Sequence, residues 1–193
     1  MARTVTVAVL FSGKGSNLEN LIRRFHDKEF GDKRVVIAPI SNRPDAPGIE
    51  LAKSYGIDTA LIDHKRFPSR ESFDEALVSK IEEISPELVV MAGFMRIVTE
   101  IFTSRVDAIN LHPSLLPLFK GANAIEESFG SGMRVGGVTV HRVDSTLDGG
   151  EILDQRCVRI EEEDTLESFR EKIHKTEHEL LPQVVAKLLR LTE

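Results

Sequence analysis

The stretch INLHPSLLPLFKGAN, Ile109 to Asn123, sets an amide and an imidazole two residues apart, Asn110 and His112, at the mouth of an apolar run. An amide N–H can donate to an oxygen on which negative charge develops, and an imidazole can donate or exchange a proton near neutral pH. The same pair also suits a polar turn with a hydrogen-bonded histidine, so the spacing leaves both readings open. Asp148 precedes Gly149 and Gly150. Its carboxylate can meet a histidine from another strand and favour the charged ring, or it can serve as a turn-former beside the glycines. Arg96, closing MAGFMR, suits either a bound carboxylate or a salt bridge.

A second constellation is SGKGSN, Ser12 to Asn17. Glycines between a strand and a helix allow backbone N–H groups to face an anion, where the helix dipole also favours phosphate. The competing reading is a tight turn in which Ser16 caps the helix and Glu19 completes S-x-x-E.

These groups need elements to hold them. TVTVAVLF (Thr4 to Phe11) is β-branched and leads through the glycine loop to Leu18, Leu21, Ile22 and Phe25 at helical spacing. RVVIAPI and DTALID predict two further strands, SNRPDAPG a break before a helix that ends near Gly56, and Ser69 to Ile84 another helix. ELVVMAG and AINL are apolar with little alternation, as in strands covered on both faces. Strands alternating with helices predict an α/β fold with a doubly wound, mainly parallel sheet, in which ligands sit beyond the carboxyl ends of the strands. Asn110, His112 and Arg96 all fall at such ends. Beyond Gly130, VGGVTVHRV and EILDQRCVRI predict an antiparallel addition joined by a tight reversal at DSTLDGG. A long helix from Asp164 to Leu191 closes the chain, capped by Asp164 with Glu167 and kinked or divided at Pro182.

Composition narrows the class. At 193 residues the chain suits a single domain, and 41% hydrophobic residues suffice for a core. The net charge of −6, with no long basic stripe, argues against nucleic acid but leaves room for a small anion in a local pocket. Cys157, the one cysteine, is expected to be a buried thiol on a strand, and His141 a strand-face residue. His26, His64, His174 and His178 show no clustering and are expected at the surface. No metal cluster, signal peptide or membrane-spanning run is read, so the protein is expected in the cytoplasm.

Taken together, GSNL (Gly15 to Leu18), SNRPDAPG (Ser41 to Gly48), AGFMRIV (Ala92 to Val98), NLHPSLLP (Asn110 to Pro117), LDGG (Leu147 to Gly150) and TEHELLP (Thr176 to Pro182) resemble the phosphoribosylglycinamide formyltransferase family, in that family's order and across nearly the whole chain. The resemblance implies a Rossmann-like formyltransferase fold in one domain, 1–193. Residues 1–107 would form the ribonucleotide phosphate-binding half, and 108–193 the catalytic and folate-binding half. It implies formyl transfer from 10-formyltetrahydrofolate, a co-substrate, to the amine of 5-phosphoribosylglycinamide in purine synthesis, without a metal, nucleic acid or membrane, by a monomer or homodimer.

Carried over by position, Gly15, Ser16 and Asn17 would hold the phosphate and Glu177 the ribose. Arg70, Met95, Arg96, Ile97, Val98 and the segment from Asp144 to Asp148 would line the folate pocket. Asn110, His112 and Asp148 would be catalytic: Asn110 and a protonated His112 would stabilise the oxyanion, and Asp148 would assist proton transfer. Family members usually carry Asn where Lys14 stands, a histidine where Asn123 stands and a serine where Thr139 stands. Hydrolysis of 10-formyltetrahydrofolate and a non-catalytic nucleotide-binding module are the alternatives. The related hydrolases usually carry an extra N-terminal domain, and formylation of methionyl-tRNA is disfavoured by the acidic composition.

Overall fold

In the computed structural model, which describes residues 2–192, the β-branched start of the chain forms β1 (Arg3–Phe11). Val7, Ala8, Val9 and Leu10 have no exposed surface, because β1 lies between two parallel neighbours and is covered on both faces. The larger of these side chains, Val7, Val9 and Leu10, each stabilise the fold by roughly 1.5–3 kcal/mol. The chain then runs through α1 (Ser16–Phe25), β2 (Lys28–Phe30), β3 (Lys33–Ser41), α2 (Pro47–Ser54), β4 (Ala60–Leu61), a 3-10 turn at His64–Arg66, α3 (Arg70–Ile84), β5 (Leu88–Met91), α4 (Glu100–Thr103) and β6 (Ala108–His112). It closes with α5 (Ala124–Gly130), β7 (Val135–Arg142), β8 (Ile152–Arg159) and α6 (Leu166–Leu188).

Two compact units are distinguished, Met1–Ile109 with Ala186–Glu193, and Asn110–Val185. In the first, the strand order is β2-β3-β1-β5, with β4 also on β3. All these pairings are parallel except β2 with β3. In the second, β7 lies between β6 and β8 and pairs antiparallel with β8. The α/β class, the mainly parallel sheet and the antiparallel addition are as the sequence predicts. Gly136 on β7 is required by packing, since a Cβ there would lie 2.6 Å from the Phe169 ring of α6.

Several local expectations are corrected. Ser16 does not cap α1; Gly15 holds the N-cap position with φ +77°, and no side chain bonds there. The DTALID strand shrinks to Ala60–Leu61, pairing only with the end of β3. The cap of α6 is Thr165 with Ser168, each hydroxyl accepting from the other's N–H at 3.2 and 3.0 Å. Asp164 is instead drawn to Lys172 (2.5 Å) and the Glu161 N–H (2.8 Å), which lower its pKa to about 2. Pro182 leaves α6 as one helix. Between β7 and β8 the DSTLDGG stretch does hold the expected turn, closed by Gly149 N–H donating to the Thr146 carbonyl at 3.1 Å. Cys157 is exposed, because β8 has β7 as its only strand neighbour. His26 and His64 are half-buried: Ile37 N–H donates to His26 Nδ1 at 3.1 Å, and His64 Nδ1 lies 2.8 Å from the Asn42 carbonyl.

Candidate active site

Alternation along β6 puts residues 110 and 112 on one face. His112 is 5% exposed, and its Nε2 lies 2.8 Å from the Phe119 carbonyl, so that nitrogen carries hydrogen and donates. Nδ1 faces Asp148 Oδ2 at 3.5 Å. Both neighbours of the ring are thus acceptor groups. The same Asp148 oxygen accepts the Gly121 N–H at 2.8 Å. Phe119 and Asp148 both hold left-handed backbone, φ +53° and +45°. Such non-glycine conformations cost on the order of 1–3 kcal/mol and persist only where surrounding contacts impose them.

Asn110 Nδ2 lies 3.1 Å from His141 Nε2 and 3.5 Å from Asp148 Oδ1. His141 is 2% exposed, and its Nδ1–H donates to its neighbour's carbonyl, Arg142, at 2.8 Å. Burial lowers the His141 pKa, while the Arg142 carbonyl and the Asp148 carboxylate oppose the shift. The ring is therefore neutral with Nε2 as acceptor, and it fixes one amide hydrogen of Asn110. The other hydrogen faces Asp148 at the long limit of a hydrogen bond and is the one available to a ligand oxygen.

Thr139, also on β7, secures the backbone that follows His112. Its hydroxyl donates to the Ser114 carbonyl (2.7 Å) and accepts from Leu116 N–H (3.1 Å) and Gln155 Nε2 (2.9 Å). Of the residues where the chain departs from the family pattern, Lys14 and Asn123 are exposed, and Asn123 starts α5 without a side-chain cap.

In the first unit, the glycine loop presents the uncapped N-terminus of α1. Gly15 needs its left-handed backbone and its missing Cβ, which would come 3.1 Å from Gly48 Cα. Ser16 is exposed and Asn17 buried. After β5, Met95 and Ile97 are 69% and 54% exposed, and Val98 is half-buried. The Arg96 guanidinium lies 5.3 Å from the Phe73 ring centre, with Nε buried and unpartnered. Arg70 is exposed at the start of α3.

In the second unit, Glu177 is buried on α6, and its carboxylate accepts from His174 Nδ1 at 2.9 Å, a bond that raises the His174 pKa. Asp144 is exposed and accepts the Thr146 N–H at 2.7 Å. Asn110, His112 and Asp148 thus converge as one cluster, joined by His141, which the sequence places only on a strand face. The one signal for it is alternation, which puts residues 139 and 141 on the same face of β7. Among the described residues no group of His, Cys, Asp or Glu is arranged to hold a metal ion, and no helix is long and apolar enough to cross a membrane.

A mainly parallel α/β protein with an amide, an imidazole and a carboxylate gathered at a strand's end is equipped for transfer at a carbonyl-type carbon. The Formyl transferase family model matches residues 5–185, and the chain belongs to that family. Phosphoribosylglycinamide formyltransferase of Bacillus subtilis is 34% identical over 186 residues, covering 95% of this chain and 94% of that protein. The crystal structure of phosphoribosylglycinamide formyltransferase from Campylobacter jejuni superimposes with a TM-score of 0.93 at 50% identity, covering 98% of this chain and 100% of that one. The trifunctional purine biosynthetic protein adenosine-3 of Gallus gallus is 42% identical over 92% of this chain, which spans 18% of that protein's length.

Proposed function

We propose that this chain transfers the formyl group of 10-formyltetrahydrofolate to the amine of 5-phosphoribosylglycinamide, a step of purine synthesis in the cytoplasm. The observation that carries the reading is the convergence of half-buried Asn110 and Asp148 on buried His112, in a chain whose similarity to phosphoribosylglycinamide formyltransferases runs over nearly its full length. The folate co-substrate brings a formyl group already activated for attack. Met95 and Ile97 offer exposed apolar surface to a flat ring system, which suits such a ligand.

Within this reading, Gly15, Ser16 and Asn17 bind the phosphate at the N-terminus of α1, and Glu177 accepts from ribose hydroxyls. Arg70, Met95, Arg96, Ile97, Val98 and Asp144 line the folate. The free amide hydrogen of Asn110 moves from Asp148 to the formyl oxygen as negative charge gathers there. His112 supplies positive charge close by; with both ring nitrogens engaged, it acts through its field. Asp148 takes the proton from the attacking amine and returns it to N10 of the departing folate. One formyltransferase domain, 1–193, would divide this work, with 1–107 holding the phosphate and 108–193 carrying out the chemistry and binding folate.

Replacing Asn110 with Ala tests the assignment. Steady-state kinetics with both substrates should show kcat lowered roughly 10²–10³-fold, with either KM changed much less. An unchanged kcat would remove Asn110 from the chemistry.

A further inference from the structure

Ser12 belongs to SGKGSN and Asn42 to SNRPDAPG, yet neither side chain has a part in the chemistry above. Both are buried, 3% and 2% exposed. The Ser12 hydroxyl donates to Asn42 Oδ1 at 2.6 Å and accepts from the Met95 N–H at 2.8 Å. The Ser12 N–H donates to the Gly93 carbonyl at 3.0 Å. One residue therefore holds the first turn after β5 through both its backbone and its side chain.

Behind it, the Asn42 carbonyl accepts from the His64 backbone N–H at 3.1 Å, which fixes the end of β3. Gly48 N–H donates to the Gly13 carbonyl at 3.1 Å, bracing the glycine loop from α2. The far end of the 95–98 segment is tied separately, by Thr99 N–H donating to the buried Asp74 carboxylate at 2.5 Å. Between these two anchors Met95 and Ile97 stand exposed. The near anchor is shared with the glycine loop, since Ser12 is the residue from which that loop departs.

We infer that Ser12, backed by Asn42, is a positioning residue that couples the glycine loop to the 95–98 segment, so that a ligand ordering one favours binding at the other. The inference rests on the proposed assignment of phosphate to the loop and folate to the segment. Coupling of this kind is reciprocal, each ligand tightening the other by the same factor. The hydroxyl is the link because it bonds to both Asn42 and Met95, whereas the Ser12 N–H reaches only the Gly93 carbonyl. With a methyl in its place, the Met95 N–H and Asn42 Oδ1 lose their shared partner, and the two segments are ordered independently.

The test uses the whole chain with tetrahydrofolate as the folate probe, so that no turnover occurs. Calorimetry measures the affinity for 5-phosphoribosylglycinamide with and without saturating tetrahydrofolate, in the wild type, Ser12→Ala and the near-isosteric Ser12→Cys. Hydrogen exchange at the Met95 amide is followed without ligands. The wild type should show coupling of roughly five-fold or more. In Ser12→Ala that factor should fall to about one while Met95 exchange accelerates roughly ten-fold, with Ser12→Cys between the two. Undiminished coupling in the variants overturns the inference, including when exchange accelerates, since the bond is then only structural. Unchanged exchange at Met95 overturns it as well. A wild type that binds neither ligand, yet shows the exchange difference, instead refutes the site assignment on which the coupling rests.

Discussion

At the scale of single residues, the cluster depends on which nitrogens carry hydrogen. His141 gives its Nδ1–H to the Arg142 carbonyl, leaving Nε2 to accept from Asn110. Protonation at Nε2 would replace that acceptor with a second donor and release the amide. Burial lowers the pKa of His141 from its ordinary 6.5. Above that value the ring is neutral in both folded and unfolded chains and contributes no pH dependence. As the pH falls below it, the unfolded chain takes up the proton first, so stability declines until the pH passes the lowered folded value. The substitution His141→Leu should flatten this decline, read as melting temperature between about pH 7.5 and pH 5.5. It should also reduce kcat roughly ten-fold by releasing Asn110. An unaltered slope would mean that His141 is not held neutral by burial.

At the scale of elements, β7 does more than extend the sheet. It places Thr139 under the SLLP backbone and His141 against Asn110. Replacing Thr139 with Val keeps the shape but leaves the Leu116 N–H without its acceptor. Denaturant unfolding should then show a loss of about 1–3 kcal/mol, with lower kcat as Asn110 and His112 lose their support. Thr139→Ser, which keeps the hydroxyl, should retain both; a loss in the Ser variant as large as in the Val variant would mean that the hydroxyl alone does not carry the effect.

Elements also show where sequence reasoning reaches. β1 and β5 are legible because strands covered on both faces read as unbroken apolar runs, and α1 because its buried residues recur at helical spacing. β2 is not, because Lys28–Phe30 is charged and short and becomes a strand only by pairing with Lys33–Val35. Cys157 was misplaced because strand propensity does not reveal which strand ends a sheet. The cap of α6 was misplaced by one residue because Asp164 and Thr165 are both good capping types, and the Lys172 ion pair draws Asp164 away. In the cluster, residue type and spacing offer Asn110, His112 and Asp148 as candidates beside a turn reading, and only the family resemblance chooses between them. Residue type and spacing cannot point to the Phe119 carbonyl, a backbone group without residue identity, or to the bond that Asn110 donates to His141 across 31 positions of sequence.

At the scale of the whole molecule, a net charge of −6 disfavours polyanionic partners, so the proposed small anionic substrates have to be held by a few local groups. Membership of the formyl transferase family defines the class of chemistry, while the proposed acceptor rests on the similarity to phosphoribosylglycinamide formyltransferases. The most direct measurement is a steady-state assay of the purified protein with 10-formyltetrahydrofolate, with and without 5-phosphoribosylglycinamide, following tetrahydrofolate and formylated product together. Tetrahydrofolate release that requires the ribonucleotide and matches formylated product one for one is the predicted result. Release that proceeds equally without the ribonucleotide would contradict it and make the protein a hydrolase, and no release at all would leave a binding module.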